Sequence, residues 1–234
     1  MLSSGTVAVN TASKTGGELM NRRDVLVGLG AAIGVTTLSV AALARRSEIL
    51  HYEFGEIGAP AGGLTGSDLQ CTAGTVTPRQ PEGPFYTPMT PRRRDIRDAG
   101  VGAGVLVVGG RVLDAQCRPI AGAILDFWQT DHHGRYDHHG YRYRGHQYTD
   151  AQGRFELVSV RPHAYTALSI FRTPHIHVKV QGPDTPLLTT QLYLPDAEDT
   201  NARDRGYVPS LAIAFTGQDG PARHAAFDFV LPRT

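Results

Sequence analysis

The sequence predicts an all-β fold, a sandwich of short strands led by an extended N-terminal arm, and three observations carry that prediction. Gly (27) and Pro (15) are abundant for 234 residues, a usage suited to strands and turns rather than helices. Past the N-terminal region no segment sustains a 3.6-residue apolar period. Short β-type runs recur instead, separated by Gly/Pro turns at the spacing of a sandwich or barrel.

In chain order, residues 1–20 are small and polar. Asn21-Arg22-Arg23-Asp24 then precedes an uncharged run, Val25 to Ala44, rich in Gly, Ala and Val and ending in the small-x-small pattern Ala42-Leu43-Ala44. A twin Arg directly before such a run marks a bacterial export class. Residues 1–44 therefore read as a cleaved twin-arginine-type signal peptide, and the protein as exported, periplasmic or extracellular. The competing reading is a retained anchor, because about 20 uncharged residues just span a bilayer. Its Gly, Thr and Ser content weakens that reading, and membrane contact is expected only through an uncleaved signal. Residues 45–77 read as the arm, Gly/Ala/Pro-rich from Gly55 to Gly66. The domain proper, 78–234, has strands expected at Val105–Leu113, Ile124–Gln129, His175–Val180, Leu188–Leu194, Leu211–Phe215 and Ala226–Leu231. A hairpin bend is expected at Thr149–Phe155, around Gly153.

Charge and cysteine usage exclude several classes. Lys+Arg 23 against Asp+Glu 22 leaves no basic field for nucleic acid and no charge-driven disorder. Two Cys rule out a disulfide-dense scaffold and a Cys-cluster metal site. In an oxidising destination Cys71 and Cys117 become a candidate disulfide; the alternative is two buried thiols.

The chemistry concentrates where histidine does. Of ten His, most fall between His132 and His177. His175-Ile176-His177-Val178-Lys179-Val180 alternates strictly, so on a strand both imidazoles share one face and the aliphatic residues the other. Two such His can chelate one metal, although an isolated His-x-His is more often an ordinary pair on a polar face. No acid lies within two residues of the pair, against a two-His-one-carboxylate triad, and no His-Glu-x-x-His is present. Tyrosine is abundant nearby, at 136, 141, 143, 148 and 165. A phenolate ligand requires a Lewis acid strong enough to bring a phenol pKa of about 10 below ambient pH, and Fe(III) suits mixed imidazole and phenolate donors.

Two resemblances compete. Gly110-Arg-Val-x-Asp, Pro119-x-x-Gly122-Ala123 and Thr149-Asp-x-x-Gly153-x-Phe155 are similar to transthyretin-like and carboxypeptidase-regulatory sandwiches, which implies a non-catalytic binding module. That resemblance covers residues 104–160 and leaves the histidine-bearing region unexplained. Pro81-Glu82-Gly83-Pro84-Phe85-Tyr86, Trp128-Gln129-x-Asp131-x-x-Gly134-Arg135-Tyr136, Arg172-x-x-His175-Ile176-His177 and Thr190-Gln191-Leu192-Tyr193 resemble, in order, the motifs of the intradiol ring-cleavage dioxygenases, most of all the protocatechuate 3,4-dioxygenase type.

This second resemblance implies a β-sandwich of the intradiol type, with a transthyretin-like core, and non-haem Fe(III) bound by Tyr136, Tyr165, His175 and His177. Tyr136 is implied to stay bound and Tyr165 to leave when substrate chelates. Arg172 is implied to face the anionic diolate, Gln191 to sit beside the iron pocket, and Gly83 and Pro84 to line the substrate cavity. The activity implied is cleavage of catechol-type rings by O₂ between the hydroxyl-bearing carbons, giving cis,cis-muconate-type diacids. The partners are then a small catechol and O₂, with a homo-oligomer left open. His132, His133, His138 and His139 read more simply as a solvated loop, and Tyr86 and Trp128 as cavity-wall aromatics. Tyr141, Tyr143 and Tyr148 are the alternatives to Tyr136. Ring substituents are not fixed: His163-Ala164 stands where relatives often have Gly before the second Tyr, and only nine residues separate Tyr165 from His175.

Overall fold

A computed structural model of the chain describes residues 71–99 and 104–234. The expected signal, 1–44, and residues 45–70 of the expected arm lie outside the described residues. Among those described the chain is almost entirely strand and turn. The strands are β1 (Val105–Asp114), β2 (Ile124–Gln129), β3 (Arg144–Tyr148), β4 (Arg154–Val160), β5 (Tyr165–Ala167), β6 (Ile170–Arg172), β7 (His175–Gln181), β8 (Leu188–Tyr193), β9 (Ala214–Asp219), β10 (Ala222–Ala226) and β11 (Phe229–Leu231). One helical turn, α1 (Glu198–Asn201), follows β8.

The strands form two sheets around one core, the sandwich that the turn-rich composition predicts. In the first, β1 pairs antiparallel with β4, while β10 and then β11 run parallel along successive stretches of it; β9 pairs with β10. The second is antiparallel throughout, in the order β3-β2-β7-β8. Strand alternation fills the space between them: Leu106 and Val108 from β1, Leu157 from β4, Phe127 from β2, and Ile176 and Val178 from β7 are all buried in one cluster. β5 and β6 form a separate two-stranded hairpin.

Two expected strands are corrected. Over Leu211–Phe215 the chain first makes a 3₁₀ turn, Pro209–Leu211, and β9 begins only at Ala214. Pro209 has no N–H to offer a ladder and its fixed φ suits the first position of a helical turn. Ala226–Leu231 is likewise two strands. Between them the Phe227 N–H bonds the Gly109 carbonyl, and the Asp228 carboxylate takes the Arg111 backbone N–H and guanidinium. That break is where β1 exchanges β10 for β11.

The outer face of the second sheet is polar yet buried. Every residue of β2 and β8 is buried, Asp126 and Gln191 included, so something must cover that face. The cover is residues 78–98. Gln80 N–H bonds Thr189 O at the β8 edge, 2.8 Å, and Arg93 N–H bonds His146 O on β3, 2.9 Å. Between these anchors the chain crosses β8, β7, β2 and β3 in turn: Gly83 lies against His177, Tyr86 O–H reaches Asp126, and Thr90 reaches both Asp126 and His146. The extended lead-in thus continues past residue 77 as a strap. Its start is tied down by a Cys71–Cys117 disulfide with Cα atoms 5.8 Å apart, across a separation of 46 residues. By loop-closure entropy such a link contributes about 4 kcal/mol.

Candidate metal centre

The site lies between the outer face of β7 and the strap. Because β7 alternates, His175 and His177 turn away from Ile176 and Val178 and toward each other's side of the sheet. Their rings are 4.7 Å apart and their Nε2 atoms 3.1 Å apart. His175 Nδ1 sits 2.6 Å from the Thr173 carbonyl, an acceptor only, so Nδ1 carries the proton and Nε2 presents a lone pair. The ring of His177 lies flat against Trp128, centroids 4.7 Å apart and planes 4° apart, which fixes its aim. Burial, reinforced by the nearby Arg172 charge, lowers the His175 pKa to about 4; burial and His175 drive His177 well below its ordinary value. Both are neutral imidazoles at any ordinary pH, as metal ligation requires.

Two phenols complete the convergence. Tyr136 follows the turn Asp131–Arg135, whose Gly134 has φ +77 and leaves no room for a Cβ, which would stand 2.5 Å from the Ala164 carbonyl. That contact packs the turn carrying Tyr136 on the one carrying Tyr165. The two phenol rings meet edge to face at 5.4 Å, with Tyr165 5.7 Å from His175 and Tyr136 6.3 Å from His177. Tyr136 is buried and its hydroxyl has no hydrogen-bond partner. Phe85 of the strap stacks on Tyr136 at 4.4 Å, and Gly83, at φ +72, faces His177, where an added Cβ would stand 3.6 Å from the ring. Burial raises the pKa of both phenols, Tyr136 well above 10. Left alone, they would not ionise.

This donor set fits a metal. An unpartnered buried hydroxyl costs about 1–3 kcal/mol, and two imidazole nitrogens aimed at each other satisfy at most one proton between them. A cation resolves both defects by accepting both lone pairs and ionising the phenol. Among the described residues no group of three or more His, Cys, Asp and Glu gathers to hold an ion, so any ion here depends on tyrosine. Two imidazoles and two phenolates suit a hard, strongly Lewis-acidic ion such as Fe(III).

Arg172 stands at the rim. Its register partner across the β5–β6 hairpin is Tyr165, so both side chains leave the same face of that ribbon. Nε donates to Asp204 at 3.1 Å and Nη2 to Gln191 Oε1, while Gln191 Nε2 donates to the Pro81 carbonyl at 2.9 Å. Asp204 is held in turn by the Thr173 and Gly206 N–H groups. The guanidinium is therefore fixed in position and only slightly exposed.

The structure brings Tyr136, Tyr165, His175 and His177 together, with Arg172, Gln191 and Gly83 around them; Pro84 is exposed next to Gly83. It does not bring the other candidates. Tyr141 O–H bonds the Pro88 carbonyl, Tyr143 backs onto Ile96, and Tyr148 lies under Arg92. The loop of His132, His133, His138 and His139 is knitted by Asp131 and Asp137, which accept from backbone N–H groups. Sequence reasoning missed Asp204 and Thr173, which carry no motif, and Phe85, which was legible only as part of Pro84-Phe85-Tyr86.

Beside the centre lies a second buried polar group. Asp126 accepts from Thr90 at 2.7 Å and Tyr86 at 2.9 Å, and Lys179 spans the Tyr86 ring face to Glu82. Burial outweighs these hydrogen bonds and raises the Asp126 pKa from 3.8 to about 6. The protonated carboxyl is the form the fold favours. Its contribution is complete below pH 3.8 and is lost as pH rises through 6. We expect Asp126→Asn to be more stable than the parent at pH 8 by on the order of 1–3 kcal/mol, with the gap closing by about pH 4. Urea melts across that range check this, and a gap independent of pH would contradict it.

Residues 81–231 match a family model described as dioxygenase. Catechol 1,2-dioxygenase 2 of Acinetobacter lwoffii is 31% identical over 166 residues, 59% of this chain and 60% of that protein. The protocatechuate 3,4-dioxygenase beta chain of Burkholderia cepacia is 32% identical over 151 residues, 54% of this chain and 63% of that one. The chain thus spans less than two thirds of the length of these relatives. Among solved structures, the dioxygenase domain of a dioxygenase–carbohydrate-binding protein fusion from Streptomyces sp. SirexAA-E is 41% identical, with TM-score 0.63 over 68% of this chain and 100% of that one. Hydroxyquinol 1,2-dioxygenase from Pseudomonas putida DLL-E4 superposes with TM-score 0.62 at 25% identity, over 70% of this chain and 68% of that one.

Proposed function

Starting from a chain that belongs to the intradiol ring-cleavage dioxygenase family, we propose that it is a non-haem Fe(III) enzyme acting on catechol-type rings. It joins a catechol and O₂ into a cis,cis-muconate-type diacid, both oxygen atoms entering the product. The observation that carries this reading is the meeting of two neutral imidazoles with a buried, partnerless phenol.

Tyr136, Tyr165, His175 and His177 would hold Fe(III), which when bound supplies the Lewis acidity that ionises the phenols and the catechol. The chain's own residues do the rest. Tyr165 is the half-exposed phenol, and so the one an incoming catechol reaches first; on leaving, its oxygen takes up a proton from the catechol. Tyr136, sealed under Phe85, stays. Arg172 presents a charge that cannot be titrated away to the anionic oxygens of the bound diolate. Gln191 and Asp204 keep it there. Phe85 and Gly83 wall the pocket and limit water. Export through the twin-arginine-type signal belongs to the same proposal, and the Cys71–Cys117 bond supports an oxidising destination.

The test is a visible spectrum of the Fe(III)-loaded protein before and after anaerobic catechol, followed by O₂ uptake and product analysis. A broad tyrosinate-to-iron band that moves to longer wavelength with catechol, then muconate on admitting O₂, is expected. A protein that stays colourless after loading would sink the metal reading and leave the non-catalytic sandwich as its successor.

A further inference from the structure

The hairpin that supplies Tyr165 and Arg172 continues past them. At its base Tyr165 pairs with Arg172, and one step out Ala167 pairs with Ile170. Directly paired residues share a face, and so do residues two apart on a strand. Tyr165, Arg172, Ala167 and Ile170 therefore line one face of the ribbon, with Ile170 about 6–7 Å beyond Arg172 along the strand. At the base this face turns the Tyr165 ring toward His175 and Phe85, at 5.7 and 6.0 Å between centroids. The opposite face is engaged elsewhere: Phe171, the register partner of Thr166, has the Arg203 guanidinium 4.4 Å over its ring.

The outer end of the hairpin is apolar and open. Leu168 and Ile170 are the most exposed large hydrophobic side chains among the described residues, at 88% and 62%. A single exposed leucine is ordinary, but two such side chains at the rim of one site form a surface suited to a ligand. Leu168 and Ser169 also have φ +48 and +65. A two-residue hairpin turn with both central residues left-handed is normally built from Asn and Gly, because a Cβ is penalised there. The fold thus keeps a leucine in a strained position where it gains no burial, and strain of that kind points to a use for the side chain. Charge narrows the use. Beyond Arg172 this face of the ribbon has no charged residue, and Arg172 itself is engaged by Asp204 and Gln191.

We propose that the outer half of the hairpin is a specificity-determining shelf, on which Ile170 and Leu168 receive an uncharged alkyl or aryl substituent of the catechol ring. This rests on the reading of the chain as a ring-cleaving enzyme and names the class of ring that it takes. A catechol whose oxygens meet Tyr165 and Arg172 has its far end about one strand step away, where Ile170 stands. An apolar substituent there covers Ile170 and Leu168 and is itself removed from water, which is favourable in proportion to the area covered. An unsubstituted ring leaves both side chains wet. A carboxylate in the same place loses hydration and meets no counter-charge from the ribbon.

The experiment measures kcat/KM of the Fe(III)-loaded full chain for catechol, 4-tert-butylcatechol and 3,4-dihydroxybenzoate, with anaerobic dissociation constants from the visible band. The parent is expected to favour 4-tert-butylcatechol over 3,4-dihydroxybenzoate by tenfold or more, mostly through KM. In Ile170→Ser the preference for 4-tert-butylcatechol over catechol is expected to fall by about tenfold, and the anaerobic dissociation constants to move in the same ratio. Ile170→Lys places a cation on the shelf. Its ratio for 3,4-dihydroxybenzoate over 4-tert-butylcatechol is expected to rise by tenfold or more, a gain that a general loss of folding does not produce. Leu168→Asn relieves the turn, so its urea midpoint is expected to rise while its preference for 4-tert-butylcatechol falls threefold or more. Ratios unmoved in these variants, or a parent that favours 3,4-dihydroxybenzoate, would overturn the proposal and leave the enzyme reading intact. A parent that sediments as a dimer, with a monomeric Leu168→Asn, would assign the tip to a second copy of the chain and overturn it too. A loaded chain that cleaves none of the three rings would bring down the enzyme reading as well.

Discussion

Replacing His177 with Ala is expected to reduce ring cleavage by roughly 10³-fold or more, equivalent to a barrier increase of about 4 kcal/mol, and to do so by losing the metal. His177 is the ring around which the centre is organised. It lies flat on Trp128, faces His175 at 3.1 Å and has the Cβ-less side of Gly83 turned toward it. Its removal leaves His175 alone with two phenols that burial keeps protonated. Iron content by mass spectrometry should fall along with turnover and colour. The fold should survive, since Ile176 and Val178 on the opposite face of β7 still fill the core. A His177→Ala protein that keeps its iron and its rate would show that the ion is held elsewhere.

Arg172→Leu separates iron binding from chemistry. We expect this variant to retain iron, colour and catechol binding, and to lose turnover by about 10²–10³-fold, the range for removing one preorganised charge-stabilising donor. Losing the partner of a buried carboxylate ordinarily costs about 3–5 kcal/mol. Asp204 nonetheless keeps N–H bonds from Thr173 at 2.9 Å and Gly206 at 2.7 Å, which moves the expected loss of stability below that range. Stopped-flow mixing of the anaerobic catechol complex with O₂ gives the decisive rate. If that complex decays as fast as in the parent, Arg172 has no role at the diolate, and its bond to Gln191 is only a rim contact.

How far the site could be read in advance depended on whether each residue's partner was near in sequence. His175 and His177 declare a shared face through alternation alone, and the strand found there, His175–Gln181, exceeds the expected His175–Val180 by one residue. Gly153 marked its bend because the bend is local, but the expected hairpin is corrected: β3 pairs with β2 and β4 with β1, so the turn leads from one sheet to the other. β3 was not legible: Arg144-Gly145-His146-Gln147-Tyr148 has no apolar alternation, because its outward side chains are buried by a strap from some fifty residues earlier. Asp204 was invisible for a similar reason. Between Arg203 and Arg205 it looks like a solvated acid, yet it meets Arg172 across 32 positions. Pro209 could have warned against a strand at Leu211–Phe215, since proline forfeits a ladder donor.

The strap also has a consequence for the order in which the molecule assembles. Its docking partners are among the last parts of the chain to be synthesised. Pro78 and Pro81 meet Thr190 and Gln191 across separations of 112 and 110, and Thr77 meets Val230 across 153. Contacts of such long range form late, after nearer pairings have shortened the loops they close. The first sheet closes over the same range, since β1 meets β10 and β11 across 117 positions, Val105 with Ala222 (222 − 105) and Val112 with Phe229 (229 − 112). Strap docking and closure of that sheet thus draw on the same C-terminal stretch of the chain, and the wall of the pocket is expected to form together with its scaffold rather than after it.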